Sequence, residues 1–337
     1  LCLSIAIVIS LAVVAAGCGD DAETTSTSAA GGATTAPTQS TGGETVELTL
    51  AHAWATTHVV HLELQKWVDE VLAATDGRVK ITIYSGGALA GPVELYDALA
   101  TGVADMAWFL QGYTPGKFPM TSVIELPFMA ETATIGALTS WELYETYPGY
   151  QDEYNDDKVR VLATWCVDPG QLLTTKKKVT KLEELKNLKI RIGSANLTPT
   201  AEALGVVPIL SPINELYDSL QKGVFDGVLV GMSAIKTFNL QDVIKYVTIN
   251  NSFINTHSLG INEAGWNKIS KEDQDIILSL SGAKLSKQVG DAFGLEMEAG
   301  RKLAESTGAE FVPLDDAEID RWKAAVSGIY DQWVADI

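Results

Sequence analysis

The stretch ELYDAL (residues 94–99) recurs as ELYDSL (215–220), and each copy continues two residues later into GVAD (102–105) or GVFD (223–226). A proline precedes each copy and suits a first helical turn, the apolar residues follow helical spacing, and the glycine suits a helix end. Each copy therefore predicts a short helix, a glycine stop and a strand. Repeat arrays recur at intervals of about 20–50 residues. Two copies 121 positions apart (215 − 94) instead indicate two similar half-molecules facing each other across a cleft.

Length and composition leave room for two α/β domains. The chain has 337 residues, of which 46% are hydrophobic, and one domain takes about 150 residues. Strand-like and helix-like segments alternate along it, which is typical of largely parallel, helix-covered sheets. With 24 basic and 43 acidic residues, the net charge is −19. This balance argues against nucleic acids and anionic membrane surfaces as partners, because both require a basic surface.

The first 43 residues predict export and anchoring. Residues 1–17 are almost wholly apolar and end in small residues, as an export signal does. The sequence AAGC (15–18) resembles the lipobox of bacterial lipoproteins, with Cys18 as the lipidated residue, and residues 18–43 predict a flexible Ser/Thr/Gly-rich linker. We expect an extracytoplasmic protein, lipid-anchored to the outer face of the cell membrane. A lone cysteine in an ordinary cleaved signal is the alternative.

Strand and helix patterns divide the remaining chain into two lobes. Lobe I is predicted to take residues 44–167 with about 257–290, and lobe II to take 168–256 with about 291–337. A capping box of Thr180 and Glu183 is expected to open a short helix, and Ser211 to cap the second repeat helix. One uninterrupted helix is predicted from Ser270 to Glu305, bracing both lobes. The predicted strands are 46–51, 78–84, 106–109, 159–167, 189–192 and 206–210, and the further predicted helices are 59–72, 134–147 and 198–204.

The order of short motifs along the chain resembles the solute-binding proteins of tripartite ATP-independent periplasmic (TRAP) transporters, the DctP type. This resemblance implies an α/β, two-lobe periplasmic-binding-protein-like (class II-like) fold with a ligand cleft between the lobes. It also implies a non-enzymatic receptor that captures a small organic acid and delivers it to a membrane permease. The motifs that carry it are YSGGALAG (84–91), GVAD (102–105), LPF (126–128), LKIR (188–191), ALG (203–205), Pro208, ELY (215–217) and GVFDG (223–227).

Within this resemblance, Arg191 of the LKIR motif is the residue that meets the ligand carboxylate between the lobes. The planar guanidinium matches a carboxylate with two parallel hydrogen bonds, which fixes the orientation of the ligand as well as its charge. The helix starts of both repeat copies are expected to face the same cleft, where free amide groups favour an anion.

Further ligand-binding positions are predicted around Arg191 in both lobes. Leu229 and Val230 stand where many relatives have polar side chains, and DPGQ (168–171) stands where many have a second arginine. Both departures favour a monocarboxylate with an apolar or aromatic body over a dicarboxylate or sugar acid. The complete set of predicted ligand-binding residues is Arg191, Trp54, Trp108, Gln111, Phe109, His52, His58, Ile213, Leu229, Val230 and Trp165.

Three other interpretations stay open. The first is the binding protein of an ATP-driven (ABC-type) importer with similar lobes. The second is a metal receptor that uses His52, His58 and His61, although zinc sites favour three or four convergent ligands. The third is an anchored hydrolase, against which the sequence shows no nucleophile elbow, phosphate loop or dinucleotide fingerprint.

Cofactor, disulfide and partner expectations are simple. We expect no cofactor, no metal and no enzymatic activity, and a monomer whose partners are the organic acid, the permease and, through Cys18, the lipid. Cys166 is the one cysteine beyond the anchor, so the mature body has no intramolecular disulfide. In an apolar run it is expected to be a small buried residue.

Overall fold

A computed structural model describes residues 45–337. The predicted signal peptide (1–17), Cys18 and the linker (18–43) lie outside the described residues and stay predictions. Among the described residues, no helix combines the length and the hydrophobicity that a membrane span requires. Cys166 is a buried free thiol, as expected.

Two β-sheets form the framework of the described part of the chain. The first sheet has the strand order β2-β1-β3-β10-β4 and the second the order β11-β9-β5-β8-β6-β7. The strands are β1 (Val46–Ala51), β2 (Val79–Tyr84), β3 (Met106–Leu110), β4 (Val159–Cys166), β5 (Gly170–Thr174), β6 (Lys189–Ile192), β7 (Val207–Leu210), β8 (Gly227–Gly231), β9 (Tyr246–Ile249), β10 (Thr256–Asn262) and β11 (Glu310–Pro313).

Both sheets are largely parallel, as predicted, but each contains one strand that runs against all the others. In the first sheet β1 is parallel to β2 and β3, whereas β10 is antiparallel to β3 and β4. In the second sheet β6 is parallel to β7 and β8, whereas β5 is antiparallel to β8 and β9. The reversed strands, β5 and β10, each enter their sheet directly from the other sheet. Because β5 and β10 come directly from the other sheet, they are antiparallel to the neighbouring strands, each of which follows a helix in the chain.

Helices cover the sheets and join their strands. The helices of residues 45–337 are α1 (Val59–Ala74), α2 (Leu95–Ala100), α3 (Ala133–Thr146), α4 (Pro148–Asn155), α5 (Thr198–Ala203), α6 (Leu216–Lys222), α7 (Ser233–Thr237), α8 (Glu263–Trp266), α9 (Lys271–Leu280), α10 (Gly282–Ser306), α11 (Asp316–Val326) and α12 (Gly328–Asp336).

The repeated sequence forms the predicted unit twice, as α2 followed by β3 and as α6 followed by β8. Gly102 (φ 80°) and Gly223 (φ 73°) end the two helices in the left-handed region, which glycine adopts at little cost. Ser211 does not cap α6, because a 3-10 turn at Ile213–Glu215 comes first. Its hydroxyl donates instead to Oε2 of Glu215 at 3.0 Å.

Two other local predictions need correction. Glu184, not Glu183, closes the start of the short 3-10 helix at Leu182–Leu185, and its carboxylate accepts the Lys181 amide at 3.1 Å. The long helix predicted from Ser270 is two helices, α9 and α10. They separate at Gly282, whose φ of 62° interrupts the helix and whose missing Cβ would lie 2.9 Å from the Trp141 ring.

The 25-residue helix α10 packs against α1 and α3, which accompany the first sheet, and against α7, which accompanies the second. It therefore braces both lobes, as predicted. Two further segments cross between the sheets, one from β4 to β5 and one from β9 to β10. Hydrogen bonds join these crossings, from the Val167 amide to the Asn255 carbonyl at 3.2 Å and from the Gly170 amide to the Phe253 carbonyl at 2.8 Å. The predicted residue limits of the lobes stay a prediction.

Candidate ligand-binding site

A cavity lies between the two sheets, and both contribute to its wall. Strands β3 and β8 reach it with their carboxyl ends, and the loop after β6 closes one side. The antiparallel strand β10 reaches it with its first residues. Six of the residues predicted from the sequence line this cavity together: Trp54, His58, Trp108, Arg191, Ile213 and Val230.

Strand β6 brings Arg191 to the cavity because side chains alternate along a strand. Ile190 and Ile192 are buried in the apolar core of the second sheet, so Arg191 between them lies on the opposite face. Gly193 directly follows strand β6, and a Cβ there would be 2.9 Å from Nη1 of Arg191. The glycine thus leaves the guanidinium its space.

Arg191 is a buried cation without an ion-pair partner. It is 2% exposed, and its Nε and Nη2 donate to the Ser211 carbonyl at 3.0 and 2.6 Å. Burial lowers the pKa of the guanidinium from its ordinary value, and Tyr113 and Glu215 counteract this shift. Within residues 45–337, no carboxylate oxygen lies within 4.0 Å of its nitrogens. An arginine stays charged under physiological conditions, so the cavity wall holds a positive charge that no carboxylate of residues 45–337 contacts directly.

Aromatic side chains form much of the remaining cavity wall. The Trp54 ring stacks on His58 at 4.0 Å between centroids and 9° between planes. It also meets Trp108 at 5.0 Å, and Trp108 stacks on His257 at 4.9 Å. From the second lobe, Phe238 approaches Trp54 at 6.0 Å. Flat, apolar surfaces of this kind suit an aromatic ligand body.

The histidines near the cavity are neutral at pH 7. Burial lowers the pKa of His257 to about 3. Burial, and after it His52, lowers the pKa of His58 to about 3. Burial followed by His61 lowers the pKa of His52 to about 4. Among the described residues, Arg191 is therefore the one charged cation in the cavity wall.

Backbone contacts fix the tautomers of two of these rings. Nδ1 of His58 accepts the Val60 amide at 3.0 Å and so caps α1. Nδ1 of His52 accepts the Trp54 amide at 3.1 Å, which leaves its Nε2 to donate to Nδ1 of His61 at 3.0 Å. A ring that accepts at Nδ1 carries its proton on Nε2. His52 and His61 therefore satisfy each other.

The described part of the chain forms no metal site around these histidines. Within residues 45–337, no group of three or more His, Cys, Asp or Glu side chains is placed to hold a metal ion. His52 is buried beside the Trp54 backbone, away from the cavity lining. The interpretation as a metal receptor thus has no ligand set in the part of the chain that the structure describes.

Five of the predicted site residues are not brought to the cavity. In β3, Trp108 and Leu110 line it, whereas Phe109 lies on the other face against Tyr96 and Phe118. In β8, Val230 lines it and Leu229 belongs to the opposite core. Consecutive residues on a strand point to opposite faces of the sheet. Only one residue of each consecutive pair can therefore line the cavity. The five residues placed elsewhere are Phe109, Gln111, His52, Leu229 and Trp165.

The remaining two of these five have other contacts or surroundings. The Gln111 amide donates to the Tyr154 hydroxyl at 3.1 Å and to the Ser258 hydroxyl. Trp165 is fully buried on β4, in the core of the first sheet.

Several lining residues were missed because they come from distant parts of the chain. His257 lies on the reversed strand β10, Phe293 on the bracing helix α10, and Phe238 just after α7. Tyr113 follows β3, where its hydroxyl accepts the Ile213 amide from the second lobe at 3.2 Å. None of these positions carries a local motif. His257 was noticeable in the sequence only as one of the four histidines of the chain.

The two repeat copies differ in their relation to the cavity. Ile213, at the start of the second copy, lines it, whereas no residue from 92 to 99 of the first copy does. The expectation that both helix starts face the cleft is therefore wrong for the first copy. The repeat duplicates the scaffold and not the site.

We expect acid to destabilise the protein through His257 in particular. Its pKa is about 3 in the folded state and about 6.5 when unfolded, so the unfolded chain binds the additional proton between these values. Stability is then fully present above pH 6.5 and is lost as the pH falls towards 3, by about 1.4 kcal/mol per pH unit for this group. His257→Phe removes this loss. The free energy of unfolding is measured with urea at pH 6.5 and 4.5. The value for the variant minus the value for the wild type should be larger at pH 4.5 than at pH 6.5, by about 2–3 kcal/mol.

The difference between the two proteins is the relevant quantity, because Asp168 acts in the opposite direction. Burial raises its pKa to about 6, so its contribution to stability falls as the pH rises through that value. This contribution is the same in wild type and variant and cancels in the comparison. Parallel curves for the two proteins would contradict the assignment of a neutral, buried His257.

Comparison with known proteins identifies the family. The chain matches the family described as bacterial extracellular solute-binding protein, family 7 (DctP), over residues 50–336. A solute-binding protein of Roseobacter denitrificans is 26% identical over 274 residues, which are 80% of this chain and 82% of that one.

Two solved structures are also similar. One is a TRAP periplasmic solute-binding protein from Bordetella bronchiseptica with bound (R)-mandelate and (S)-mandelate. It has a TM-score of 0.81 and 34% identity, over 86% of this chain and 92% of that one. The other is a TRAP solute-binding protein from Rhodoferax ferrireducens T118 with copurified benzoate. It has a TM-score of 0.81 and 28% identity, over 87% and 92%.

These matches cover nearly all of the described residues and agree with the two-lobe fold. They favour neither an ATP-driven importer nor a hydrolase, because the receptors of this family are non-enzymatic transport components. The chain belongs to the DctP family, bacterial extracellular solute-binding protein family 7, and is an extracytoplasmic solute-binding receptor of a TRAP transporter.

Proposed function

We propose that this receptor captures an aromatic monocarboxylate, holds its carboxylate on Arg191 and hands it to the membrane permease. The observation that carries the proposal is the buried, unpaired guanidinium in the cavity wall. A buried charge is costly unless it is paired. A ligand carboxylate would supply the missing partner at the two-lobe interface.

The charge balance of the cavity argues for one carboxylate. Arg191 is the one charged cation of the described lining, and the neighbouring histidines are neutral. A second carboxylate would enter a desolvated site without a counter-charge, at a cost of several kcal/mol. A dicarboxylate or a dianionic sugar acid is therefore disfavoured.

The walls argue for an aromatic body. Trp54, Trp108 and Phe238 form ring faces and edges, and aliphatic side chains such as Val230 fill the gaps. Both similar solved structures hold aromatic monocarboxylates, mandelate in one and benzoate in the other. The ligand preference of this chain is supported by that likeness and by its own lining.

Lobe closure is the proposed means of capture. Glu125, on the 3-10 helix Thr121–Glu125 of the first lobe, is buried between the lobes. Its carboxylate accepts Ser194 Oγ and Asn196 Nδ2, both at 2.8 Å, from the loop that follows β6. It also accepts the Thr256 amide at 2.9 Å, at the start of β10. This carboxylate joins the lobes close to Arg191, so ligand binding and closure are expected to be linked.

A panel of organic acids tests the ligand class. The purified protein is screened by thermal shift against benzoate, phenylacetate, mandelate, branched aliphatic acids, succinate and glucuronate. A ligand at about 100 times Kd adds about 2.7 kcal/mol to stability, so true ligands raise the melting temperature clearly. Aromatic monocarboxylates should give the largest shifts. A shift only with succinate or glucuronate would contradict the proposal.

We also propose that Cys18 carries a lipid and that the receptor acts as a monomer with its permease. The support is the AAGC sequence at 15–18 followed by the linker-like composition of residues 18–43. Expressed in a bacterial host, the wild-type protein should partition into detergent and incorporate labelled fatty acid, whereas Cys18→Ser should do neither. Equal partitioning of both forms into the aqueous phase would contradict the anchor.

A further inference from the structure

His257 is a buried polar side chain without a partner in the cavity wall. It is 4% exposed, and its Nδ1 has no hydrogen-bond partner among the described residues. The ring is held in place by stacking on Trp108 at 4.9 Å and 21°. Its strand, β10, is paired on both sides, with Leu110 and Trp165 as the opposite residues. The ring is thus fixed by packing.

An unpaired buried nitrogen is unfavourable, because burial removes the hydrogen bonds that water would make. Two more groups of the same wall share this condition, the indole N–H groups of Trp54 and Trp108. The aromatic end of the cavity is therefore apolar in surface but contains unused hydrogen-bonding capacity.

We infer that the ligand is a hydroxylated aromatic acid and that His257 binds its hydroxyl group, an inference that rests on the function proposed above. A neutral imidazole offers one donor and one acceptor. A hydroxyl group can also donate and accept, so it can form a hydrogen bond with either tautomer of His257. A methyl group or a bare ring edge can make no such hydrogen bond to the imidazole.

His257 and Arg191 reach the cavity from different sheets, on β10 and β6. Its ring contacts belong to the Trp108 and Trp54 cluster, whereas Arg191 lies against Ser211 and Gly193 on the second lobe. The hydroxyl group therefore belongs to the aromatic body of the ligand, on the ring or on the adjacent carbon.

Matched ligand pairs test the inference by calorimetry. Benzoate is compared with its three ring-hydroxylated forms, and phenylacetate with mandelate. In the wild-type protein, at least one hydroxylated acid should bind about tenfold more tightly than its parent. In His257→Phe, which keeps a ring against Trp108, this ratio should fall to about one. His257→Asn, which retains a donor and an acceptor, should restore part of the ratio.

Trp165→Phe is the matched control. Trp165 lies opposite His257 on β4 and also has an unpartnered indole nitrogen, but it does not line the cavity. It should leave the ligand ratio unchanged even if it lowers stability.

Three results would overturn the inference. One is equal affinity of the wild type for every hydroxylated acid and its parent, and another is an equal loss for both ligands in His257→Phe. In either case the proposed function stands if the parent acids still bind in an Arg191-dependent way. Absence of binding by any aromatic acid would overturn both.

Discussion

Replacing Arg191 by methionine is expected to abolish binding of aromatic monocarboxylates while leaving the ligand-free protein at least as stable as the wild type. Removing one partner of a buried ion pair costs about 3–5 kcal/mol, so affinity should fall by at least a hundredfold. Among the described residues the ligand-free protein has no such pair, because Arg191 donates to the Ser211 carbonyl and no carboxylate oxygen lies within 4.0 Å of its nitrogens. Replacing an unpaired buried charge by an apolar side chain of similar length is neutral or stabilising.

Opposite effects on binding and on stability distinguish a ligand-binding arginine from a structural one. Calorimetry gives the affinity, and urea unfolding without ligand gives the stability. Arg191→Lys should retain the charge but lose the two-pronged geometry, and should therefore bind about tenfold or more weakly. A large loss of stability with unchanged affinity would contradict the account.

Arg160 provides the control for a change of charge. It also lies on a strand, β4, where its guanidinium lies 4.9 Å from the centre of the Trp266 ring, but it does not line the cavity. Arg160→Met should leave the affinity for the acid unchanged. A similar loss in both variants would mean that net charge, and not a specific contact, determines binding.

The second large effect is expected at Gly112, where the two lobes meet. Gly112 lies on the 3-10 helix Gln111–Tyr113 of the first lobe. A Cβ there would lie 1.9 Å from Oγ and 2.5 Å from Cβ of Ser194 on the second lobe. Gly112→Ala is therefore expected to prevent the lobes from closing to the distance seen here. An overlap of this kind costs about 2–3 kcal/mol, which reduces the affinity by about a hundredfold.

Binding and shape should change together in Gly112→Ala. Calorimetry should show the weaker affinity, and small-angle scattering should show a larger radius of gyration at a ligand concentration that closes the wild type. Gly294→Ala is the control, because a Cβ there meets no atom within 4 Å and the helix tolerates alanine. Unchanged affinity in Gly112→Ala would show that the contact between the lobes is not needed for capture.

A second substitution at the contact tests its cause. Ser194→Gly removes Oγ and Cβ, the two atoms that lie nearest to a Cβ at residue 112, although it also removes the hydrogen bond from Ser194 to Glu125. The double variant should bind more tightly than Gly112→Ala alone. Additive losses would indicate two independent defects, since only coupled residues deviate from additivity.

Local features of the fold were predictable from the sequence. Strand β1 and strand β6 have the predicted limits, Val46–Ala51 and Lys189–Ile192, because apolar alternation and the flanking turns are local signals. The repeated helix–glycine–strand unit was equally clear, since Gly102 and Gly223 mark both helix ends. These features require no knowledge of the rest of the chain.

Strand directions and the cavity wall depend on long-range contacts. The reversal of β5 and β10 follows from where the chain crosses between the sheets, and no residue pattern within those strands encodes it. The same holds for His257 and Phe293, which reach the cavity from β10 and α10. Arg191 was found by resemblance. Its burial without an ion-pair partner is visible only in three dimensions.

The most direct test of the central claim compares the tightest-binding aromatic acid with its own amide. The two ligands have nearly the same shape, so they differ chiefly in the charge that Arg191 is proposed to bind. Calorimetry on the wild-type protein should show binding of the acid and a loss of at least a hundredfold in affinity for the neutral amide. Equal affinity for acid and amide would contradict the claim that a buried, unpaired Arg191 selects a carboxylate.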